Sequence, residues 1–154
     1  MITATITIQV SDVSFQTWMR TSYIAMSQIS QSGAPLIDLL ELGRDERDVF
    51  DNLVKEAANE ILKIFASRQD NVIGSSFTID LDGAITYKFS ENTPILSNAT
   101  NLKLILQENV KQALYNYVAF NWLSSKGQDY AKFVYDKYLQ FCEDIKATLY
   151  LLHD

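Results

Sequence analysis

Apolar and polar residues alternate strictly along the first ten positions of the chain. Residues 2–10 read ITATITIQV, in which a threonine or glutamine separates each apolar residue from the next. A period of two places the two sets of side chains on opposite faces of a β-strand. The pattern therefore predicts a half-buried N-terminal strand over residues 2–10.

Apolar residues then return at intervals of three and four, which is the spacing of an amphipathic helix. A first helix is predicted from about residue 11 to residue 27, with Phe15 and Trp18 among its apolar positions. A second, over about 45–69, also carries acidic residues in its first turn, where they complement the positive end of the helix dipole. Residues 27–35 are rich in Ser, Gln, Gly and Pro, which predicts a loop between the two helices.

A β-hairpin is predicted over residues 76–90, which read SFTIDLDGAITYKFS. A two-residue turn at the Asp-Gly dipeptide would place apolar residues of one strand opposite polar residues of the other. A three-residue connection over 81–83 instead keeps apolar side chains together on one face, so we predict that register. Its apolar pairs are Ile79 with Ile85 and Phe77 with Tyr87.

The predicted hairpin needs a partner, because two strands alone are marginally stable in water. That partner is either another strand of the chain or a neighbouring subunit. The preferred register also leaves an apolar residue exposed at the hairpin tip, and exposed strand edges allow another chain to add a strand. We therefore expect the N-terminal strand and the hairpin to contact another subunit through apolar residues of both: Ile6, Ile8, Phe77, Ile79, Leu81, Ile85 and Tyr87.

The second half of the chain predicts two long helices joined by a short turn. The first runs from about residue 99 to residue 125, a Lys-Gly pair ends it, and the last helix covers about 129–152. A connection this short makes the helices an antiparallel pair. Their many aromatic residues are expected mostly in the core, Trp122 among them, although surplus tyrosine and tryptophan is also typical of protein interfaces.

These elements predict an α+β fold in one domain over residues 1–154. It is a helical bundle, with helical core at about 45–69 and 99–152 and a long C-terminal antiparallel helix pair, to which an N-terminal strand and a central β-hairpin are added. A chain of 154 residues is within the usual size of one domain. Its 47% hydrophobic and 21% charged residues are typical of a globular protein.

The charge of the chain argues against a protein that grips nucleic acid or an anionic membrane. The formal net charge is -6, and the 13 Lys and Arg residues are scattered without a concentrated run. Binding to phosphates depends on clustered cations. No segment resembles a secretory signal or approaches the ~18 apolar residues of a membrane span, so we expect a protein made in the cytoplasm, without a membrane partner.

Catalytic and metal-binding chemistry is sparse in the sequence. The single histidine, His153, is the penultimate residue, and the single cysteine, Cys142, has no cationic neighbour in sequence that would lower its pKa. Asp80 and Asp82 near the hairpin turn lack the spaced oxygen ligands of a calcium loop, and the glycines form no phosphate-binding loop. We therefore expect no enzyme, no cofactor and no metal, while paired carboxylates remain open among the 19 acidic residues.

Two segments resemble proteins of a known kind. They are TSYIAM at residues 21–26 and ALYNYVAFNWLSSKGQDYAKFVYDKYLQFCEDIKATL at residues 113–149. Together they resemble small proteins of Bacteroidetes phages and prophages, and the helix pair is similar to that of head-tail connector (adaptor) proteins of tailed phages. The strand and hairpin depart from a purely helical adaptor.

This resemblance implies a virion structural protein located in the phage neck. Its subunits would form a ring that joins portal to tail, contacts neighbouring neck or tail proteins, and lets DNA pass without sequence-specific binding. Another neck ring, such as a tail terminator, is a near alternative, and a small cytosolic interaction or regulatory module is the alternative from another class. A ring requires many copies whereas regulators are usually dimers, so the assembly state distinguishes these two hypotheses.

Overall fold

The structure, a computed structural model, describes residues 2–26, 47–67, 76–80, 83–91, 99–125 and 131–153. These ranges contain four helices and three strands, which confirms the predicted α+β fold. In chain order the elements are β1 (Ile2–Gln9), α1 (Val10–Met26), α2 (Arg47–Ala66), β2 (Ser76–Ile79), β3 (Ala84–Glu91), α3 (Ala99–Ser125) and α4 (Ala131–His153). The predicted loop over 27–35 and the hairpin tip at Leu81 lie outside the described residues.

The three strands form one antiparallel sheet in the order β1-β3-β2. Strands β2 and β3 pair in the predicted register, with Phe77 opposite Tyr87 and Ile79 opposite Ile85. Strand β1 pairs along the other side of β3, where Ile6 lies opposite Tyr87. The third strand that the hairpin requires therefore comes from the N-terminus of the same chain.

Backbone hydrogen bonds join the base of the hairpin to the start of α1. The Gly83 N–H donates to the carbonyl oxygen of Asp80 at 2.9 Å, and the Asp80 N–H donates to that of Ala84 at 3.0 Å. The carbonyl oxygen of Gly83 accepts a further bond of 3.0 Å from the N–H of Val10, the first residue of α1. A helix start leaves its first N–H groups without helical partners, and the hairpin satisfies one of them.

The apolar face of the sheet packs on α2 to form the centre of the core. Tyr87 is fully buried, its ring stacks on that of Phe65 with centroids 4.9 Å apart, and its hydroxyl donates to the carbonyl oxygen of Ala58 at 2.9 Å. Phe89 adds a third ring, 5.4 Å from Phe65. The buried residues of α2 recur at the predicted helical spacing: Phe50, Val54, Ala57, Ala58, Ile61 and Phe65.

Helices α3 and α4 are antiparallel, as predicted, and pack along much of their length. The Tyr117 and Tyr138 rings lie 5.3 Å apart, and those of Phe120 and Tyr135 lie 4.6 Å apart. From the first pair to the second, the residue number rises by three on α3 and falls by three on α4, as expected for antiparallel helices. Trp122 is 7% exposed, which confirms its prediction as a core residue.

Tyrosines in the core or packed against it make the stability of the fold sensitive to alkaline pH. Burial raises the pKa of the Tyr87 phenol above its usual value near 10, and burial likewise raises the pKa of Tyr117 and of Tyr138. The folded chain thus keeps protons that the unfolded chain loses above about pH 10, so stability is full below that pH and falls as the pH rises further. For a fully buried tyrosine the loss approaches about 1.4 kcal/mol per pH unit.

Urea unfolding at pH 8 to 11.5 is expected to show this decrease. The Tyr87→Phe variant, which keeps the ring and has no ionisable group at this position, should lose stability less steeply above pH 10 than the wild-type chain. Equal slopes for the two proteins would contradict the assignment to Tyr87.

Candidate interaction surface

Four of the residues expected to contact another subunit belong instead to the core of this chain. Ile6, Ile8, Ile85 and Tyr87 are at most 3% exposed. Their prediction as interface residues is wrong, because β1 pairs with β3 within the chain and helices pack over the apolar face of the sheet.

Of the other three predicted interface residues, two are half-buried and one lies outside the described residues. Phe77 and Ile79 lie on β2, at the edge of the sheet, where they are half-buried and pack against the same core. Leu81 lies outside the described residues. The sheet thus supplies at most two partly accessible members of the predicted set from the described part of the chain.

The outer edge of β1 is partly covered by α3. In an antiparallel sheet, alternate residues of an edge strand direct their N–H and C=O groups away from the neighbouring strand. The Thr7 N–H is one of these, and it donates to the Oε1 atom of Gln107 on α3 at 3.3 Å. Thr3 and Thr5 share its orientation by register, so the edge that could accept another strand is short.

Helix α1 presents the largest side chains of its apolar set to the outside. We call Phe15, Trp18, Met19 and Tyr23 the α1 surface; they recur at helical spacing and are 42% to 74% exposed. Amphipathic helices of globular proteins ordinarily bury the large apolar residues and expose the polar ones. Helix α1 departs from that rule, because its outer face exposes large apolar side chains and its inner face buries polar ones.

The inner face of α1 is narrow and lined with hydroxyl groups. Val13, Thr17 and Thr21 are fully buried there, and the Thr21 hydroxyl donates to the carbonyl oxygen of Thr17 at 3.0 Å. Among the described residues, the Thr17 and Ser22 hydroxyls have no hydrogen-bond partner. Each unpaired buried hydroxyl costs about 1–3 kcal/mol, so this arrangement does not maximise the stability of the free chain.

The α1 surface is large enough to hold a partner. A fully buried aromatic side chain removes roughly 150–250 Å² from water, so exposure of about half of each leaves on the order of 400–500 Å² of apolar surface. The largest apolar patch on a monomeric protein is commonly about 300–600 Å² and is often functional. A standard interface covers about 800 Å² per partner, so the α1 surface would supply roughly half of one.

Phe133 extends the α1 surface onto α4. This ring is 53% exposed, and the Arg20 guanidinium carbon lies 5.9 Å from its centroid and 5.9 Å from that of Tyr115. The ammonium nitrogen of Lys137 lies 5.7 Å from the Phe133 centroid. Cations over aromatic faces are attracted to the ring electrons. Arg20 and Lys137 therefore lie at the border of the α1 surface, beside the half of the helix pair nearest the α3–α4 connection.

Further apolar residues are exposed at the other end of the helix pair, two on α3 and two on α4. Antiparallel packing brings the start of α3 level with the end of α4, and four residues there are 51% to 61% exposed. We call them the open-end surface: Leu104, Ile105, Tyr150 and Leu151. A shallow, open depression of about 430 Å³ lies on α4 alone and is lined by Glu143, Lys146, Ala147, Tyr150 and Leu151.

Charged residues of both signs lie near the open-end surface, Lys103 and Glu108 among them. Glu108 is one helical turn from Leu104, and Asp144 is two turns from Leu151, so each shares a side of its helix with that leucine. The hydrogen bond from Gln112, 3.0 Å long, lowers the pKa of Glu108, and Lys111 lowers it further. Glu108 is therefore ionised at neutral pH.

The part of the chain that the structure describes was searched for metal ligands and for a reactive cysteine. No group of three or more His, Cys, Asp or Glu residues there could hold a metal ion. Cys142 is buried, and burial raises the pKa of its thiol, which disfavours the nucleophilic thiolate. The helices in this part of the chain are also too short or too polar to cross a bilayer.

Comparison with known proteins finds no match: no family model, no curated protein and no solved structure is significantly similar to this chain. The resemblance to head-tail connector proteins therefore stays a prediction. The two exposed surfaces are the observations from which a function can be inferred.

The sequence of α1 has two faces that both follow the helical period. Positions 13, 17 and 21 follow one helical face and hold valine and two threonines, while positions 15, 18, 19 and 23 follow the opposite face and hold aromatic residues and methionine. Both faces satisfy the helical period, so periodicity predicts the helix without deciding which face is buried. The open-end surface depends on the alignment of two helices, which no local pattern contains.

Proposed function

We propose that the chain is a virion structural protein, a subunit of an oligomeric ring in the head-tail connector of a tailed phage. The observation that carries this proposal is that the chain exposes large apolar residues at two levels of the α3–α4 pair, on the α1 surface and at the open end. On α3, Leu104 belongs to the open-end surface, and Tyr115 lies beside Arg20 at the border of the α1 surface. At a rise of 1.5 Å per residue, these two positions are roughly 16 Å apart along the helix. A ring closes when one patch of each subunit binds a different patch of the next.

Other features of the chain support this role. The sheet and the four helices supply a rigid core, and the resemblance of the helix pair to that of connector proteins adds weight. A net charge of -6 suits a subunit that DNA passes, because carboxylates repel the DNA backbone and the sequence has no concentrated run of Lys and Arg that would hold it. The partners would be further copies of the chain, the portal, and neighbouring neck or tail proteins.

A small cytosolic interaction or regulatory module is the second candidate. The size of the α1 surface favours it, because that surface with its border could accommodate one protein partner. In that case the open-end surface would stay exposed, and the usual assembly would be a dimer.

Sedimentation velocity and negative-stain electron microscopy on the purified chain distinguish the two functions. From about 10 μM to about 1 mM, where weak contacts become occupied, we expect reversible association, with closed rings at the highest concentration or when portal rings are added as a template. Duplex DNA at physiological salt should leave sedimentation unchanged. A dimer that resists dilution would favour the regulatory module, and a monomer throughout, with portal present, would overturn the ring.

A further inference from the structure

We infer that residues 14–23 of α1 form a segment that opens separately, undocking from α3 while the rest of the fold stays in place, and that Arg20 is its latch. This inference concerns the single chain and does not depend on the proposed ring. The docked segment predominates, and the open state is a minor excursion from it.

The 14–23 segment buries little apolar surface. Its buried side chains are Thr17, Thr21 and Ser22, and its large apolar side chains are all exposed. Helix α2 instead buries six apolar side chains, two of them phenylalanines. Burial of large apolar side chains is the main contribution that holds a helix on a core. The 14–23 segment is therefore docked more weakly than α2.

The buried hydroxyl groups of the segment favour the open state. Those of Thr17 and Ser22 have no hydrogen-bond partner in the described part of the chain, and that of Thr21 donates to the carbonyl oxygen of Thr17 within the same helix. A buried hydroxyl without a partner is less stable than the same hydroxyl in water. Exposure of Thr17 and Ser22 to water thus offsets part of the contact that opening loses.

The first turn of α1 is held firmly, which limits the opening to the residues that follow. Val10 and Val13 are both buried in the core. The Val10 N–H also donates to the carbonyl oxygen of Gly83 at 3.0 Å, and the strand before it pairs with β3 along its whole length. The hinge of the segment therefore lies just after Val13.

Arg20 joins the segment to both helices of the C-terminal pair. Its guanidinium carbon lies 5.9 Å from the centroid of the Tyr115 ring on α3 and 5.9 Å from that of the Phe133 ring on α4. A cation over an aromatic face is attracted to the ring electrons. Arg20 thereby stabilises the docked state, in which the two rings lie within its reach.

Opening removes the α1 surface. Isolated helices shorter than about 12–15 residues are marginal in water, so a segment of this length loses its helical order when it leaves α3. The residues of the α1 surface all lie on the segment, and they share one face only while it is docked. A partner that binds this surface therefore selects the docked state.

Amide hydrogen exchange of the dilute native chain tests the inference. The amides of residues 18–23 should exchange at least about tenfold faster than those of the central strand β3. Their exchange should respond little to low urea, because local opening exposes little surface, whereas that of β3 should accelerate. Equal rates and equal urea dependence would show that α1 opens only with global unfolding, which overturns the inference.

Two variants should shift the opening in opposite directions. Thr17→Val replaces a buried hydroxyl by a methyl group and should raise the protection of residues 18–23 about fivefold or more. Arg20→Met keeps an unbranched side chain without the cation, so it should lower that protection roughly two- to fivefold. Lys137→Met is the matched control. The Lys137 ammonium nitrogen lies 5.7 Å from the same Phe133 ring, but it belongs to α4, so protection of the segment should not change.

Other results of the variants overturn the inference at distinct points. Unchanged or lower protection in Thr17→Val would mean that the hydroxyl stabilises the docked segment. Equal protection of the segment in Arg20→Met and Lys137→Met would mean that Arg20 is no latch. The ring is tested by association and this inference by exchange in the dilute chain, so failure of one is distinguishable from failure of the other.

Discussion

Replacing Tyr87 with alanine is expected to lower the free energy of unfolding by about 3–5 kcal/mol, the range for truncating a large buried aromatic residue. The ring is fully buried and stacks on Phe65 at 4.9 Å, so its removal leaves a cavity between the sheet and α2. It also removes the hydroxyl that donates to the Ala58 carbonyl oxygen. Against a total stability of about 5–15 kcal/mol for a typical domain, this loss brings the chain close to unfolding.

Urea unfolding followed by circular dichroism measures this change. Tyr87→Phe separates the contribution of ring packing from that of the hydroxyl hydrogen bond. This variant keeps the ring and removes only the hydroxyl, so it should lower the free energy of unfolding by about 0.5–1.5 kcal/mol. A Tyr87→Ala chain that keeps its stability and loses self-association would instead restore the interface role first expected for this residue.

Replacing Trp122 with alanine is expected to lower the free energy of unfolding by a similar amount, about 3–5 kcal/mol. Trp122 lies in the last turns of α3, and its indole is 7% exposed in the core. Trp18 provides the matched comparison, since it is the other tryptophan of the chain and is 42% exposed on α1. Trp18→Ala should change stability by no more than about 1 kcal/mol and should weaken self-association.

The two tryptophan variants therefore separate stability from assembly. Unfolding is followed by circular dichroism, and association by sedimentation. Unchanged stability together with unchanged association of Trp122→Ala would contradict the packing of the helix pair. A loss of several kcal/mol for Trp18→Ala would show that the free chain itself covers the α1 surface, which would remove the surface from the ring proposal.

The local structure of the sheet could be predicted because side-chain pairing depends on the sequence near the turn. Only one register of the hairpin keeps Ile79 opposite Ile85, and that register is the one observed. The pattern also showed that the hairpin needs another strand. It could not show that β1 of the same chain supplies it, since residues 2–9 and 84–91 are distant in sequence and pair only through the tertiary fold.

The candidate surfaces were less predictable than the fold. Large apolar residues are ordinarily buried, so Phe15 and Trp18 on α1 carried no sign that they would face outward. The burial of Thr17 and Thr21 instead depends on how closely α1 approaches the rest of the molecule, and small side chains permit a close approach. Ile6 and Ile85 show the opposite case. Both were expected at an interface, but both are buried in the core, because β1 of the same chain pairs with β3.

Strand β1 ends at Gln9 and α1 begins at Val10, so no connecting residue separates them. The Val10 N–H is also held by Gly83 of the hairpin, which fixes the direction in which the helix leaves the sheet. A helix attached in this way is already ordered before a partner arrives. Binding at the α1 surface would therefore lose little conformational entropy in the helix itself, so even a surface of modest area can support a specific, reversible contact.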